Sequence, residues 1–326
     1  MNLSTLGTIA LLAGLALSST ALAKTAATAQ AVEVTILSSN LANGSTIGEW
    51  GFSALVEVDN QCLLFDTGNH PDTVLRNIEA LNVDLSCVTD VVLSHWHHDH
   101  MGGLVSLVAN TRARNPDAIK RVHVAEGFFQ PRRLAARPGA GEINQMIEIR
   151  EQLEADGVAF RIYSQATEIL PAIWVTGPIE RTHEEKTYPT HIEVSDGHGE
   201  WQTDYVPDSQ GLTIVTERGP IVLLGCGHSG SVNLLEQVQR EIQDQSIHAL
   251  MGGMHLFSAD DNTLRWTADK LNDVGIQHLM AGHCTGVEPM FRLRQGLGLD
   301  RTTAVIGAVG SRFVLGEGIY PTAIAQ

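Results

Sequence analysis

Leu93-Ser94-His95-Trp96-His97-His98-Asp99-His100-Met101-Gly102-Gly103 is the stretch that decides how this chain is read. It continues the apolar, β-branched run Val91-Val92-Leu93, so its polar side chains leave a strand end together, where a loop can fold them round a cation. Imidazole nitrogen and carboxylate oxygen are the donors preferred by zinc, manganese and ferrous iron. The spacing of His95 and His97 lets two rings converge on one ion, while Asp99 and His100 turn toward a neighbouring position. His98 is read as pointing away, and Trp96 as packing between two ligands. Gly102-Gly103 permits the tight turn into a helix that such a loop needs.

On both sides of that stretch, short apolar runs alternate with amphipathic segments of helical length, which makes the class α/β, with sheets covered by helices. Strands are expected at Glu33–Leu37, Phe52–Val58, Cys62–Phe65, Asp90–Leu93, Arg121–Ala125, Ala159–Tyr163 and Ala172–Val175. Six more follow at Leu212–Thr216, Ile221–Leu224, His248–Met251, His278–Met280, Ala304–Ile306 and Phe313–Leu315. Pro71 at a first helical position, followed by Val74, Leu75, Ile78 and Leu81, marks a helix with one apolar face. Similar stripes run through Leu234, Leu235, Val238 and Ile242, and through Leu264, Ala268 and Leu271, with Gly275 as a stop. Residues 126–207 differ: they hold Pro131, Pro138, a helix near Glu142–Ala155 and a polar stretch from Thr182 to Asp208. This segment is expected to be an insertion that shapes a substrate mouth within one domain, 32–326.

The 326 residues, 43% of them hydrophobic, suffice for a sizeable core, and the net charge of −16 excludes a basic surface for nucleic acid or anionic lipid. Residues 1–23 carry no charge, contain the apolar run Leu6 to Leu17 and end in Ala21-Leu22-Ala23. They read as a cleaved secretory signal, with 24–31 as a linker, so the chain is expected to be exported, periplasmic or secreted, without stable membrane association afterwards. Four cysteines in the mature chain make no disulfide framework, and Cys62 in its apolar run reads as a buried small hydrophobe. The sequence carries no signal for oligomeric state.

The H-x-H-x-D-H run, with Phe65-Asp66-Thr67-Gly68 upstream of it, resembles the signature of the metallo-β-lactamase superfamily. Within it, Glu49-Trp50-Gly51-Phe52-Ser53, Gly225-Cys226-Gly227-His228-Ser229-Gly230, Gly252-Gly253-Met254-His255-Leu256 and Gly282-His283-Cys284-Thr285-Gly286 resemble the branch of dihydropteridine-ribofuranosyl-aminobenzene phosphate synthase-like proteins. The resemblance implies a four-layer αβ/βα sandwich with metals at one edge. It implies His95, His97 and His228 at a first position, Asp99, His100 and His283 at a second, and Asp66 beside them to orient an imidazole. Where many members carry a bridging aspartate this chain has Cys226, which is either a thiolate ligand or a buried thiol, so one ion and two ions both remain open. His255 is either a satisfied core histidine or a contact near the pocket, and His183 is a candidate at the mouth.

A divalent cation lowers the pKa of its water and polarises the bond under attack. The expected activity is therefore metal-dependent hydrolysis of an ester, lactone, amide or phosphoester in a small molecule, with Asp99 as the catalytic carboxylate. One or two divalent transition metals are expected, zinc first, with manganese or iron as alternatives. An iron-dependent oxidoreductase and a metal-holding binding protein without turnover are the competing classes. The chain has no G-x-x-x-x-G-K loop and no G-x-S-x-G elbow, which removes phosphate-loop and covalent serine chemistry.

Overall fold

The structure is a computed structural model that describes residues 27–325, so the leader 1–23 lies outside the described residues. Of the expected linker, Ala29 is buried and pairs with Thr216, and Gln30 and Ala31 donate their N–H groups to Asp59 Oδ1. That part of 24–31 is anchored to the domain.

Two large sheets face each other. One has eight strands in the spatial order Gly318–Tyr320, Arg312–Val314, Val32–Ser38, Ser53–Val58, Gln61–Phe65, Asp90–Val92, Arg121–Ala125 and Ala159–Tyr163. The other has seven: Ala304–Ile306, His278–Ala281, Ala249–Gly252, Ile221–Leu224, Gly211–Ile214, Ile173–Val175 and Thr167–Leu170. Side chains alternate between faces along a strand, and the cores follow that rule. Leu63 and Phe65 of one sheet meet Ile221 and Leu223 of the other in the central layer. Leu64 and Val91 face outward onto the helices Thr73–Leu81 and Leu104–Arg114. Val222 and Leu224 face outward onto Ser231–Glu241 and Asp261–Asp273. The result is the four-layer αβ/βα sandwich.

All thirteen expected strands have counterparts, with ends shifted by a residue or two. Unforeseen are Arg132–Leu134, Thr167–Leu170, Ile192–Ser195, Trp201–Thr203 and Gly318–Tyr320, of which several are half-exposed and so lack an apolar alternation. The helix Val287–Gly296 was also unforeseen. Pro71 stands outside its helix, which begins at Thr73 after Asp72. The helix expected from Glu142 begins at Met146, because the Glu142 carboxylate accepts from Arg132 N and Asn144 N and holds the preceding residues in a turn. The segment 126–207 gives strands to both large sheets, and three of its strands form a separate small sheet.

Cys62 is buried as expected, but it is disulfide-bonded to Cys87, which corrects its reading as a free apolar side chain. The bond ties the strand Gln61–Phe65 to the loop before Asp90–Val92, two neighbouring parallel strands. Run length alone gave no hint of it, since the pairing depends on that parallel register.

Candidate metal centre

Asp90–Val92 leads through Leu93 and Ser94 into His95, and His98–Met101 forms one helical turn. Asp66, just beyond the neighbouring strand, is fully buried. Its Oδ1 accepts from Ser94 N at 2.7 Å, and its Oδ2 lies 2.7 Å from both Ser94 Oγ and His100 Nδ1. An imidazole held at Nδ1 by a carboxylate presents Nε2 to the site. His98 is exposed.

From the second sheet, three adjacent parallel strands end at the same edge. Ile221–Leu224 leads to Cys226 and His228, Ala249–Gly252 to His255, and His278–Ala281 to His283. The two sheets meet so closely here that a Cβ on Gly225 would lie 1.9 Å from Ser94 Oγ. Only glycine fits at that position.

Two groups of donors result. His95, His97 and His228 form one and Asp99, His100, Cys226 and His283 the other, the donor atoms of each lying within 4.8 Å of one another. A third set, Cys226, His228 and His255, overlaps both. His97 Nδ1 and His228 Nε2 are 3.1 Å apart, as are His100 Nε2 and Cys226 Sγ. Asp99 Oδ2 lies 3.3 Å from His283 Nε2 and 3.6 Å from His100 Nε2. Donors about 2.0–2.3 Å from a tetrahedral zinc are themselves about 3.3–3.7 Å apart, close to these separations. His95 Nε2, His97 Nε2, His255 Nδ1 and both ring nitrogens of His283 are buried without a hydrogen-bond partner. Such atoms are rare and costly in a folded protein, and a cation is the partner this donor set suits.

The electrostatics leave the first group ready to ligate and the second carrying protons that a cation would have to displace. Burial pushes His95 and His228 well below the usual imidazole range and His97 down to about 3, so all three are neutral and free to ligate. Burial also opposes charge on His100, but Asp99 and Asp66 outweigh it and raise His100 to about 9. Asp99 is drawn well below the carboxylate range because His100, His283 and His97 overcome the effect of its own burial. Burial raises the Cys226 thiol, reinforced by Cys284 and the two carboxylates.

His255 lies 4.6 Å, ring to ring, from His228 and has φ of +49°, a strained backbone of the kind that gathers at functional sites. His183 joins neither donor group; its Nε2 lies 3.0 Å from the Glu236 carboxylate and its ring meets Trp266 edge-on at 5.6 Å. It borders a cavity of about 740 Å³ that also touches Lys186, Thr187, His255, Asp260 and Trp266. Trp50 and Phe257, each about half exposed, meet edge to face at 5.8 Å beside the donors, with Trp50 5.2 Å from the His283 ring and Phe257 5.1 Å from the His255 ring.

Sequence reasoning missed the support of His228. Its Nδ1 donates to the Thr187 carbonyl, and the Arg181 guanidinium donates to the His228 carbonyl at 2.7 Å. A backbone carbonyl leaves no residue-type signal to find. Cys284, whose Sγ accepts from His255 N at 3.3 Å, was noticed only as a neighbour of His283.

Fold and donors define an αβ/βα protein with side chains that could hold a divalent metal at the edge where two sheets meet. The model of the metallo-β-lactamase superfamily matches residues 51–231, and the chain belongs to that superfamily. It is 30% identical over 256 residues to 7,8-dihydropterin-6-methyl-4-(β-D-ribofuranosyl)-aminobenzene-5'-phosphate synthase of Methanocaldococcus jannaschii, covering 74% of this chain and 83% of that one. Among solved structures it resembles Tm1679, a metal-dependent hydrolase of the β-lactamase superfamily, with 27% identity, a TM-score of 0.65 and coverage of 81% and 93%. The metallo-β-lactamase fold protein YhfI from Bacillus subtilis shares the fold at 13% identity and a TM-score of 0.53, over 87% and 99% of the two chains.

Proposed function

We propose that this protein is an exported hydrolase of small organic molecules, using one or two divalent transition metals, zinc foremost, to open an ester, lactone, amide or phosphoester bond. The observation that carries the reading is the convergence of buried, unpartnered imidazole nitrogens from both sheets on one edge. In this reading His95, His97 and His228 hold one ion, and Asp99, His100 and His283 with Cys226 hold the other. A cation bound there acidifies a water and polarises the scissile bond.

The chain's own groups supply the rest. Asp99 Oδ2, kept ionised by His100 and His283, accepts the proton of the attacking water and returns it to the leaving group. Asp66 and the Thr187 carbonyl fix the ring orientations of His100 and His228. Trp50 and Phe257 offer an apolar rim on which the organic part of a substrate packs. The disulfide Cys62–Cys87 supports export, since such bonds persist in oxidising compartments. No helix among the described residues is long and apolar enough to cross a membrane.

The relative from Methanocaldococcus jannaschii is named a synthase, so a bond-forming reaction is the second reading. One experiment separates the possibilities. Purified protein is loaded in turn with zinc, manganese and ferrous iron and offered aryl ester, lactone, anilide and phosphodiester substrates in oxygen-18 water. Label in the product at one atom per turnover, highest with zinc, is the expected result. Iron-dependent oxygen uptake would instead establish an oxidoreductase, and full metal loading without turnover would reject hydrolysis in favour of the bond-forming or metal-holding readings.

A further inference from the structure

Beneath the first donor group lies a charged cluster for which the proposed chemistry has no use. Arg132, Asp204 and Asp208 are completely buried, and Trp96 nearly so. Arg132 Nε donates to Asp204 Oδ2 at 3.0 Å and its Nη2 to Asp208 Oδ1 at 2.5 Å. The Arg132 guanidinium lies 4.7 Å from the centre of the Trp96 ring, stacked on the indole. Its remaining amino group donates to the carbonyls of Phe128 and Gln130, both at 3.0 Å. The second oxygen of Asp204 accepts from Val206 N, so every charged group of the cluster has partners.

Desolvating one guanidinium and two carboxylates is expensive, and a hydrophobic replacement of the same volume often stabilises a fold better. The position of the cluster gives it a different use. Asp208 Oδ2 accepts from the backbone N–H of Trp96 at 2.9 Å, and Asp204 Oδ2 accepts from the indole N–H at 3.1 Å. Trp96 is the residue between His95 and His97, so Asp208 grips the backbone and Asp204 the side chain of the residue that joins two donors of one group. The neighbouring Gln210 adds to the grip: its N–H donates to Ser94 O and its side-chain amide to Leu93 O, each at 2.9 Å. The loop that presents the two imidazoles is therefore held, residue by residue, by a segment more than a hundred positions later.

We infer that Arg132, Asp204 and Asp208 form a clamp on Trp96 that sets the His95–His97 geometry, making them positioning residues for metal capture at the first donor group. This rests on the proposed metal site, and it adds residues that the superfamily motif does not contain. Partners that orient ligands typically shift metal affinity by about ten- to a hundredfold when removed. Trp96→Phe keeps an aromatic face for Arg132 but removes the pyrrole ring with its N–H and leaves a small void; Asp208→Asn keeps the volume but puts an amide where Arg132 needs a charge.

The test measures zinc affinity by chelator competition, the visible spectrum of the cobalt-substituted protein, and the melting temperature of the metal-free protein, for the parent and both variants. The expected result is zinc binding weakened about tenfold in Trp96→Phe and more in Asp208→Asn, with shifted cobalt bands, while metal-free Trp96→Phe still unfolds cooperatively and melts only a few degrees below the parent. Parent-like zinc affinity and cobalt bands in Trp96→Phe would overturn the clamp, as would a fall in metal-free melting temperature with affinity unchanged. If Asp208→Asn does not fold, Trp96→Phe decides alone. A parent that takes up neither zinc nor cobalt defeats the proposed function along with the clamp, whereas a parent that loads while the variants match it defeats the clamp only.

Discussion

The eight-stranded sheet delivers His95, His97, Asp99 and His100 from one loop, whereas the seven-stranded sheet delivers Cys226, His228, His255 and His283 from the ends of three strands. In the first case the donors are close in sequence, but a loop of that length does not fix its own shape. It is braced from elsewhere: by Asp66 from the next strand and by Asp204 and Asp208 from far downstream. In the second case the donors are distant in sequence, and parallel pairing of Leu224 with Gly252 and of Gly252 with Ala281 brings the three strand ends level. Proximity along the chain demands external support, while distance along the chain is bridged by sheet register.

The sharpest way to break that division is at Asp99, the donor that faces His100 of its own loop and His283 of the other sheet. Asp99→Asn is expected to keep its melting temperature in the metal-loaded state within a few degrees and to lose about a hundredfold or more in turnover, as read by steady-state kinetics. Full activity would remove the proton-handling role. Next come His228→Ala and His283→Ala, each expected to lose metal from a different group. Metal analysis after dialysis against a weak chelator should show partial loading in each and none in the double variant. Identical loss in both single variants would merge the two groups into one.

A smaller effect concerns pH in the metal-free protein. Because burial holds His95, His97 and His228 below 6.5, with His97 at about 3, the unfolded chain takes up protons there first, and stability falls as pH drops below about 6.5. His100 has the opposite sign: raised to about 9, it contributes stability that is complete below 6.5 and lost as pH rises through 9. Melting temperature in chelator should therefore peak between these limits, and a flat profile from pH 4 to 10 would mean that the donors are not buried without metal. The least effect at the site is expected from the disulfide. Closing a 25-residue separation stabilises by about 3.5 kcal/mol in the chain-entropy view, yet Cys62 lies at the far end of its strand from Asp66. Cys62→Ser with Cys87→Ser should unfold at lower denaturant and hold the same zinc; loss of zinc would show that the strand transmits to the site.

The same division explains what could be read from sequence. The strands Ile221–Leu224 and Asp90–Val92 are short and buried, and the apolar runs Ile221–Leu224 and Val91-Val92-Leu93 mark them in the sequence, while the His95–His100 run names its own chemistry. His228 and His283 come from no spacing: they enter through the likeness of their glycine-rich segments to those of the superfamily. Arg132 could not be found at all: in sequence it is one of three arginines, with Arg133 and Arg137, near Pro131 and Pro138, and only the fold brings it between two aspartates seventy residues later. Thr187 acts through a carbonyl that every residue possesses. Cys62 and Cys87 looked unrelated because their partnership depends on which strands lie side by side.

Gly225, where even a methyl group would collide with Ser94, marks how little room separates the halves of the molecule at this edge. Neither half owns a complete coordination set: the eight-stranded sheet offers His95 and His97 to one group and Asp99 and His100 to the other, and the remaining donors come from strand ends of the seven-stranded sheet. A bound ion would therefore act as a cross-link between the two sheets.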